Sequence, residues 1–264
     1  MSSAIHVGGQ LDERTAFPKR IQGVPPGGGD TSLGVGAAYT VAAEQCQQGE
    51  SPVDIRPFDH AYLGPAYGND AILEAIEETG VGSRYEIETG VGAGAIAAHL
   101  AAGRIIARLC GRMEFGARAL GNRSILANPG DYRDVQTINE KIKNRDFWMP
   151  FTPSIKAERS GDYLINPKGL DAPYMTMAFD STPLAQEHLA AAIHPYDKTV
   201  RPQLVSRHTN PAYYELISEF EKLTGIGALL NTSFNLHGDP VVCSPQDAIY
   251  TFENSGLDIL VMND

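Results

Sequence analysis

Between Gly111 and Pro129 the chain reads GRMEFGARALGNRSILANP, with Arg112, Arg118 and Arg123 spaced among Gly111, Gly116 and Gly121. A hydrophobic core has no use for guanidinium groups at this spacing, and glycines let the backbone come close to a ligand. The pattern points to a site for phosphate or carboxylate, unless the arginines cap helices or pair with Asp131, Asp134 and Glu140. Either way, this stretch must sit where chain and ligand, or chain and acidic side chains, converge.

Charge narrows the ligand. The chain carries a formal net charge of -11, which argues against a nucleic-acid binder because phosphate backbones need a broad basic face. Residues 104–159 nevertheless hold 11 Lys and Arg against 6 Asp and Glu, so cations gather around the glycine-arginine stretch. A small polyanion such as a nucleotide or acyl phosphate suits that distribution; a basic face balanced by acidic neighbours in the fold is the alternative. Cys46, Cys110 and Cys243 lack metal-ligand spacing and read as reduced thiols of a cytoplasmic protein. No basic leader or long apolar run marks secretion or a membrane span.

The Gly111–Pro129 stretch resembles, almost letter for letter, the signature of the O-carbamoyltransferases that modify Nod factors, cephalosporins and aminoglycosides, usually GRMEFGPRALGNRSILADP. Three more blocks follow in the family's order. Lys141–Pro153 (KIKNRDFWMPFTP) is similar to K-x-RE-x-FRPFAP, Ala192–Gln203 (AIHPYDKTVRPQ) to HxDxTxRxQ, and Leu229–Pro240 (LLNTSFNLHGDP) to the NTSFN segment. Four ordered matches are far more specific than one short motif.

The resemblance implies a mixed α/β (α+β) fold: a YrdC-like twisted sheet with flanking helices over residues 61–264, preceded in 1–60 by a linker and a C-terminal remnant of an ASKHA-type transferase domain. It implies that ATP, with Mg2+, and carbamoyl phosphate are joined into carbamoyl-adenylate for O-carbamoylation of a small-molecule hydroxyl. Positioning and charge neutralisation by Arg, Lys, hydroxyl and amide groups would carry that chemistry. Arg118, Arg123, Lys143, Arg201 and Ser233 match family positions, with Lys143 and Arg201 the catalytic candidates. Arg112, Arg145, Asn231 and Asn235 complete the nucleotide- and phosphate-binding set, although both asparagines equally suit turns. His194 and His237 read as structural histidines or ribose contacts rather than metal ligands.

Two positions depart from the pattern. Ala117 replaces a proline, and Met149 replaces an arginine expected to grip carbamoyl phosphate, which a thioether cannot do; Arg145 is the nearest substitute. The segment GDTSLGVGAA, Gly29–Ala38, resembles GDxGxALGAA, whose aspartate helps hold a catalytic iron together with an HxxxH motif. Asp30 matches that aspartate, but HxxxH is absent and a helix cap is the better reading of Asp30. Iron is therefore expected in an N-terminal half outside this sequence, with an ASKHA-type domain as partner in cis or trans. The competing reading is a non-catalytic nucleotide- or anion-binding module, or a partner subunit of a separate transferase domain.

Periodicity and punctuation supply the elements. Helices are predicted after Asp30 or Ser32 through Cys46, over 71–79, after Gly94, and over 134–144, 184–191, 211–224 and 245–254. Strands are predicted over 84–88, 104–110, 124–127, 174–179, 199–205, 228–230 and 259–262, with an irregular loop over 147–155 leading into another; the 199–205 strand would put Arg201 and Gln203 on one face. Gly90, Gly92 and Gly94 read as a tight turn before an alanine-rich helix, because the third glycine is misplaced for a dinucleotide fingerprint.

Overall fold

The computed structural model describes residues 26–27, 29–48, 59–139, 142 and 149–263. A 3-10 turn at Asp30–Ser32 leads into helix α1 (Leu33–Gln47), none of whose residues is buried. The predicted helix is present, but neither Asp30 nor Ser32 caps it through its side chain. The Ser32 hydroxyl instead donates to the Gly27 carbonyl.

A six-stranded sheet organises the rest. Its strands are β1 (Ile106–Leu109), β2 (Arg123–Ala127), β3 (Thr152–Lys156), β7 (Gln203–Val205), β8 (Ala228–Ser233) and β9 (Ile259–Met262), in the order β7-β3-β8-β2-β1-β9. The β1/β9 and β3/β7 pairs are parallel, and the others antiparallel. Three short strands, β4 (Leu164–Ile165), β5 (Phe179–Ser181) and β6 (Thr199–Val200), form a separate antiparallel sheet.

Every residue of β1 and β2 is buried, which requires cover on both faces of the large sheet. Alternation along the strands divides the cover. Ile106, Leu126 and Leu229 pack with α3 (Ala93–Ala101) and α7 (Pro211–Thr224). On the other face Ala107, Leu109, Ile125 and Leu230 pack with α4 (Tyr132–Ile138) and α8 (Pro245–Glu253). Helix α2 (Asn69–Thr79) sits against α8 through Ala75 and Ile249. Helices α5 (Ser160–Tyr163) and α6 (Pro183–His188) cover the small sheet with Tyr163, Ala185 and Leu189.

Helix α7 shows how local sequence fixes an element. Pro211 opens it, the Asn210 side chain accepts the Tyr213 N–H at 3.1 Å, and Gly225 closes it at φ 78°. Its inward stripe is Tyr213, Tyr214, Leu216, Ile217 and Phe220. Helix α8 begins with a reciprocal capping box between Ser244 and Asp247. Among the described residues no helix is long and apolar enough to cross a membrane.

Three predicted strands need correction. Residues 84–88 alternate in polarity but are exposed coil, with no strand alongside among the described residues to take their backbone groups; Tyr85 meets Phe252 in a tilted ring contact and Arg84 pairs with Glu253. The 174–179 stretch is coil until Phe179, and Met175 lies at φ 54°. The 199–205 strand is two strands in different sheets: Pro202 offers no N–H for a continuous ladder, so the chain leaves the small sheet after Val200 and enters the large one at Gln203. Arg201 sits at that crossing rather than on a strand face. Strand β8 is longer than predicted and takes Asn231, Thr232 and Ser233 into the sheet. Helix α4 starts at Tyr132, before the predicted 134, and the latter part of the predicted 134–144 helix falls partly outside the described residues.

Candidate functional site

The glycine-arginine stretch is the connection from β1 to β2, and it folds around one carboxylate oxygen. Oε1 of Glu114 accepts the backbone N–H groups of Leu120 at 2.6 Å, Asn122 at 2.8 Å and Arg123 at 3.2 Å. Three donors on one anionic acceptor bend residues 115–122 back over Glu114. Gly121 makes the bend possible: it lies at φ 110°, and a Cβ there would come 2.3 Å from Cδ1 of Tyr213. Below the loop, the fully buried Arg108 donates to the Gly121 carbonyl at 2.6 Å with its guanidinium 5.5 Å from the Tyr213 ring centre. Asn122 donates to the Arg112 carbonyl and accepts from Asn210.

Arg123 is turned onto the backbone of its own loop. It has no exposed surface and donates to the carbonyls of Cys110, Gly111, Asn122, Pro65 and Cys243 at 2.9–3.3 Å. A guanidinium has five N–H groups, so little is left for an incoming anion. Burial pulls its pKa down, against the opposing charge of Glu114. Arg112 is exposed but ties down residues 63–64, donating to Leu63 O at 2.6 Å and Gly64 O at 3.1 Å. Among the described residues, most other cations of 104–159 are likewise engaged: Lys156 and Arg159 share Glu221, Arg133 holds Asp131, and Arg104 faces Asp258. The alternative of acidic neighbours balancing the basic segment thus accounts for much of its charge.

Two predicted arginines meet at a cleft. At the C-terminal end of β8, Arg118 and Arg201 line an opening with Asn231, Thr232, Ser233, Thr152, Phe151 and Met175. Arg118 is exposed and makes no hydrogen bond or ion pair to another described residue, while Arg201 is half-buried. The enclosed part is small, about 60 Å³, room for a group of about four water-sized atoms but not for a nucleotide. A larger depression of about 580 Å³ lies at the opposite end of β2, near Asn128, His188 and Ile226. Its one arginine, Arg133, is already paired with Asp131 at 2.6 Å, and His188 contacts Tyr163 at 3.2 Å, so the smaller cleft is the better candidate for anion chemistry.

The remaining predicted residues fall in several places. Lys143 and Arg145 lie outside the described residues. Ser233 donates its hydroxyl proton to Oδ1 of Asn235 at 2.6 Å. Asn235 is a turn residue: its amide donates to the carbonyls of Leu236 at 2.8 Å and Asp239 at 2.9 Å. Met149 is exposed beside Pro150 at the cleft. His194 contacts Asp197 at 3.0 Å, in the turn before β6. His237 is exposed, and its backbone N–H donates to the Ile142 carbonyl at 3.2 Å. Among the described residues no three His, Cys, Asp or Glu side chains come together as metal ligands, and Asp30 is exposed.

Sequence reasoning missed the buried polar layer under the cleft. Ser154 donates to Oε1 of Gln203 at 2.7 Å, and Gln203 donates to the Leu120 carbonyl at 2.8 Å. Tyr62 reaches the same carbonyl at 2.9 Å. Burial raises the pKa of both Tyr62 and Tyr213, keeping their hydroxyls protonated. The visible signal was a set of polar residues, Arg108, Ser124, Ser154 and Gln203, inside strands that otherwise read as core.

A twisted mixed sheet with a polar, arginine-lined cleft at its strand ends defines an α/β protein that builds its site from loops and strand termini. The chain belongs to the carbamoyltransferase family: the family model described as the carbamoyltransferase C-terminus matches residues 97–264. The nodulation protein NolO of Bradyrhizobium diazoefficiens is 37% identical over 241 residues, 90% of this chain and 43% of that protein. An uncharacterized protein of Synechocystis, sll1178, is 36% identical over 262 residues, 90% of this chain and 42% of its own. The chain thus spans less than half the length of these relatives. The E. coli YciO crystal structure aligns with a TM-score of 0.48 at 14% identity, covering 64% of this chain and 76% of that one.

Proposed function

We propose that the cleft binds carbamoyl phosphate and that the chain joins its carbamoyl group to ATP, taken as the magnesium complex, to give carbamoyl-adenylate. The observation that carries this reading is the meeting of Arg118 and Arg201 with the end of β8, in a family member whose enclosed cleft accommodates an acyl group but not a nucleotide. Carbamoyl phosphate is first hydrolysed, water giving carbamate and inorganic phosphate. A carbamate oxygen then attacks the α-phosphorus of ATP and pyrophosphate leaves. The arginines hold and neutralise phosphate oxygens through these steps. The nucleotide lies outside the narrow part, towards the loop bearing Arg118. Transfer to a hydroxyl belongs to an ASKHA-type domain in cis or trans. The residues described here do not fit an iron site, since Asp30 is exposed without companion ligands, and no step is assigned to iron.

Calorimetry with ATP and magnesium, with carbamoyl phosphate, and with both tests binding; release of AMP and pyrophosphate only when carbamoyl phosphate is present tests the chemistry. Absence of heat and thermal shift at millimolar ligand would refute the reading. Met149, exposed where the family has an arginine, supports the second reading of a non-catalytic anion-binding module. That reading requires binding without pyrophosphate release.

A further inference from the structure

We propose that the acidic and apolar face formed by residues 73–88 and the outer side of α8 is a docking surface for a protein partner, which presents to it an extended basic segment with apolar side chains. The face lies beside β9, the edge strand of the large sheet, and shares no residue with the cleft.

Large apolar side chains stand in water here, Ile87 at 46% and Tyr250 at 61% exposure, with Leu73 and Tyr85 beside them. Their neighbours tie them into one patch. Ile76 and Ile87 flank Gly82, where a Cβ would lie 3.9 Å from one side chain and 3.8 Å from the other, so the missing side chain leaves a notch between them. Leu73 stands one turn before Ile76 on α2. Tyr85 lies 5.2 Å from the Phe252 ring of α8. Tyr250 shares a stripe of α8 with Gln246 and Glu253, which reach Glu78 at 3.0 Å and Arg84 at 2.6 Å. Grouped exposure of this kind marks an interaction surface rather than a scatter of single residues.

Charge selects the occupant. Residues 69–88 hold Asp70, Glu74, Glu77, Glu78, Glu86 and Glu88 against the single cation Arg84, which Glu253 already takes up. A second copy of this face, or an anionic lipid surface, would set negative charge against negative, whereas a basic segment is complementary. The backbone points to its conformation. Residues 86–89 make no backbone–backbone hydrogen bond to any described residue, so their N–H and C=O groups are open to an added strand. Side chains alternate along such a strand, which puts one set over the notch at Gly82 and the other near Glu86 and Glu88. A partner segment that alternates apolar and basic residues satisfies the notch, the carboxylates and the backbone together.

The test is fluorescence anisotropy on the full chain with a short labelled peptide alternating lysine and valine, a glutamate–valine counterpart and a lysine–serine counterpart. The lysine–valine peptide should bind at least about tenfold more tightly than either counterpart, and more weakly as salt is raised. Ile87→Ser, and Glu86→Lys with Glu88→Lys, should each weaken it by about tenfold or more. Melting temperature should not move, because all three side chains are exposed. Equal binding of the three peptides, no binding of the lysine–valine peptide, or full affinity in both variants overturns the proposal. So does dimerisation of the parent, or binding to phosphatidylserine vesicles, that Ile87→Ser abolishes, since the occupant is then a second copy or a lipid surface. ATP and carbamoyl phosphate take no part in these measurements, so the proposed function stands or falls separately.

Discussion

Replacing Glu114 by Gln tests whether one carboxylate shapes the loop that carries Arg118. The side chain keeps its size and one acceptor oxygen, but the three buried N–H groups of Leu120, Asn122 and Arg123 lose an anionic partner. A hydrogen bond to a charged group contributes about 1.5–3 kcal/mol and a neutral one about 0.5–1.5, a difference of about 1 kcal/mol for each N–H. Three such losses give about 3 kcal/mol, before counting the fully buried Arg123, whose charge loses a nearby counter-charge. For a chain of this size each kcal/mol lowers the melting temperature by about 2–4 °C, so Glu114→Gln should melt about 6–12 °C below the parent. Urea denaturation should show a lower midpoint with an unchanged slope, and Glu114→Ala should be worse than Glu114→Gln. A shift below about 2 °C for Glu114→Gln would refute the argument, because it would mean that the loop amides find equivalent partners without the charge.

The two kinds of arginine should separate cleanly in stability and binding assays. Arg118→Ala should weaken acyl-phosphate binding by about 1.5–3 kcal/mol with little change in melting, whereas Arg123→Ala should lower stability by at least about 3 kcal/mol, since it strips donors from five carbonyls. Gly121→Ala should cost more than about 2 kcal/mol through its positive φ and the contact with Tyr213, and Gly121→Ala combined with Tyr213→Ala should cost less than the sum of the single changes. For Asp247, burial favours the neutral acid, but the N–H groups of Ser244 and Cys243 outweigh it and hold the pKa below its ordinary 3.8. Its capping contribution is then complete above that value and lost as pH falls through the lower folded one, so the stability gap between the parent and Asp247→Asn should close as pH falls below about 4.

Much of the fold was legible because its signals are local. Proline at the start and glycine at the end bracket α7, and a stretch that is apolar apart from Arg108 announces β1. The strand assigned to 84–88 failed because alternation states only which side chains prefer water; whether a partner strand lies alongside is a tertiary fact. The break at Arg201 was hidden for a similar reason, since Pro202 is compatible with a strand edge until one knows that the chain changes sheets there. At the site, sequence located the arginines but could not divide them. Arg118 and Arg123 occupy one motif five residues apart, yet one lines the cleft and the other is buried among carbonyls. That division depends on Glu114 and the glycines bending the loop, a through-space event without a periodic signature.

The contact between Gly121 and Tyr213 makes two distant parts of the chain answerable to each other over evolutionary time. Helix α7 contributes no residue to the cleft, yet the ring of Tyr213 occupies the space that a side chain at 121 would need. Relatives bearing anything larger than glycine at the position of Gly121 should carry a smaller residue at that of Tyr213, or show a displaced α7. Drift along the buried face of this helix would then be one route by which related proteins alter the shape of the cleft while every residue that touches the ligand stays the same.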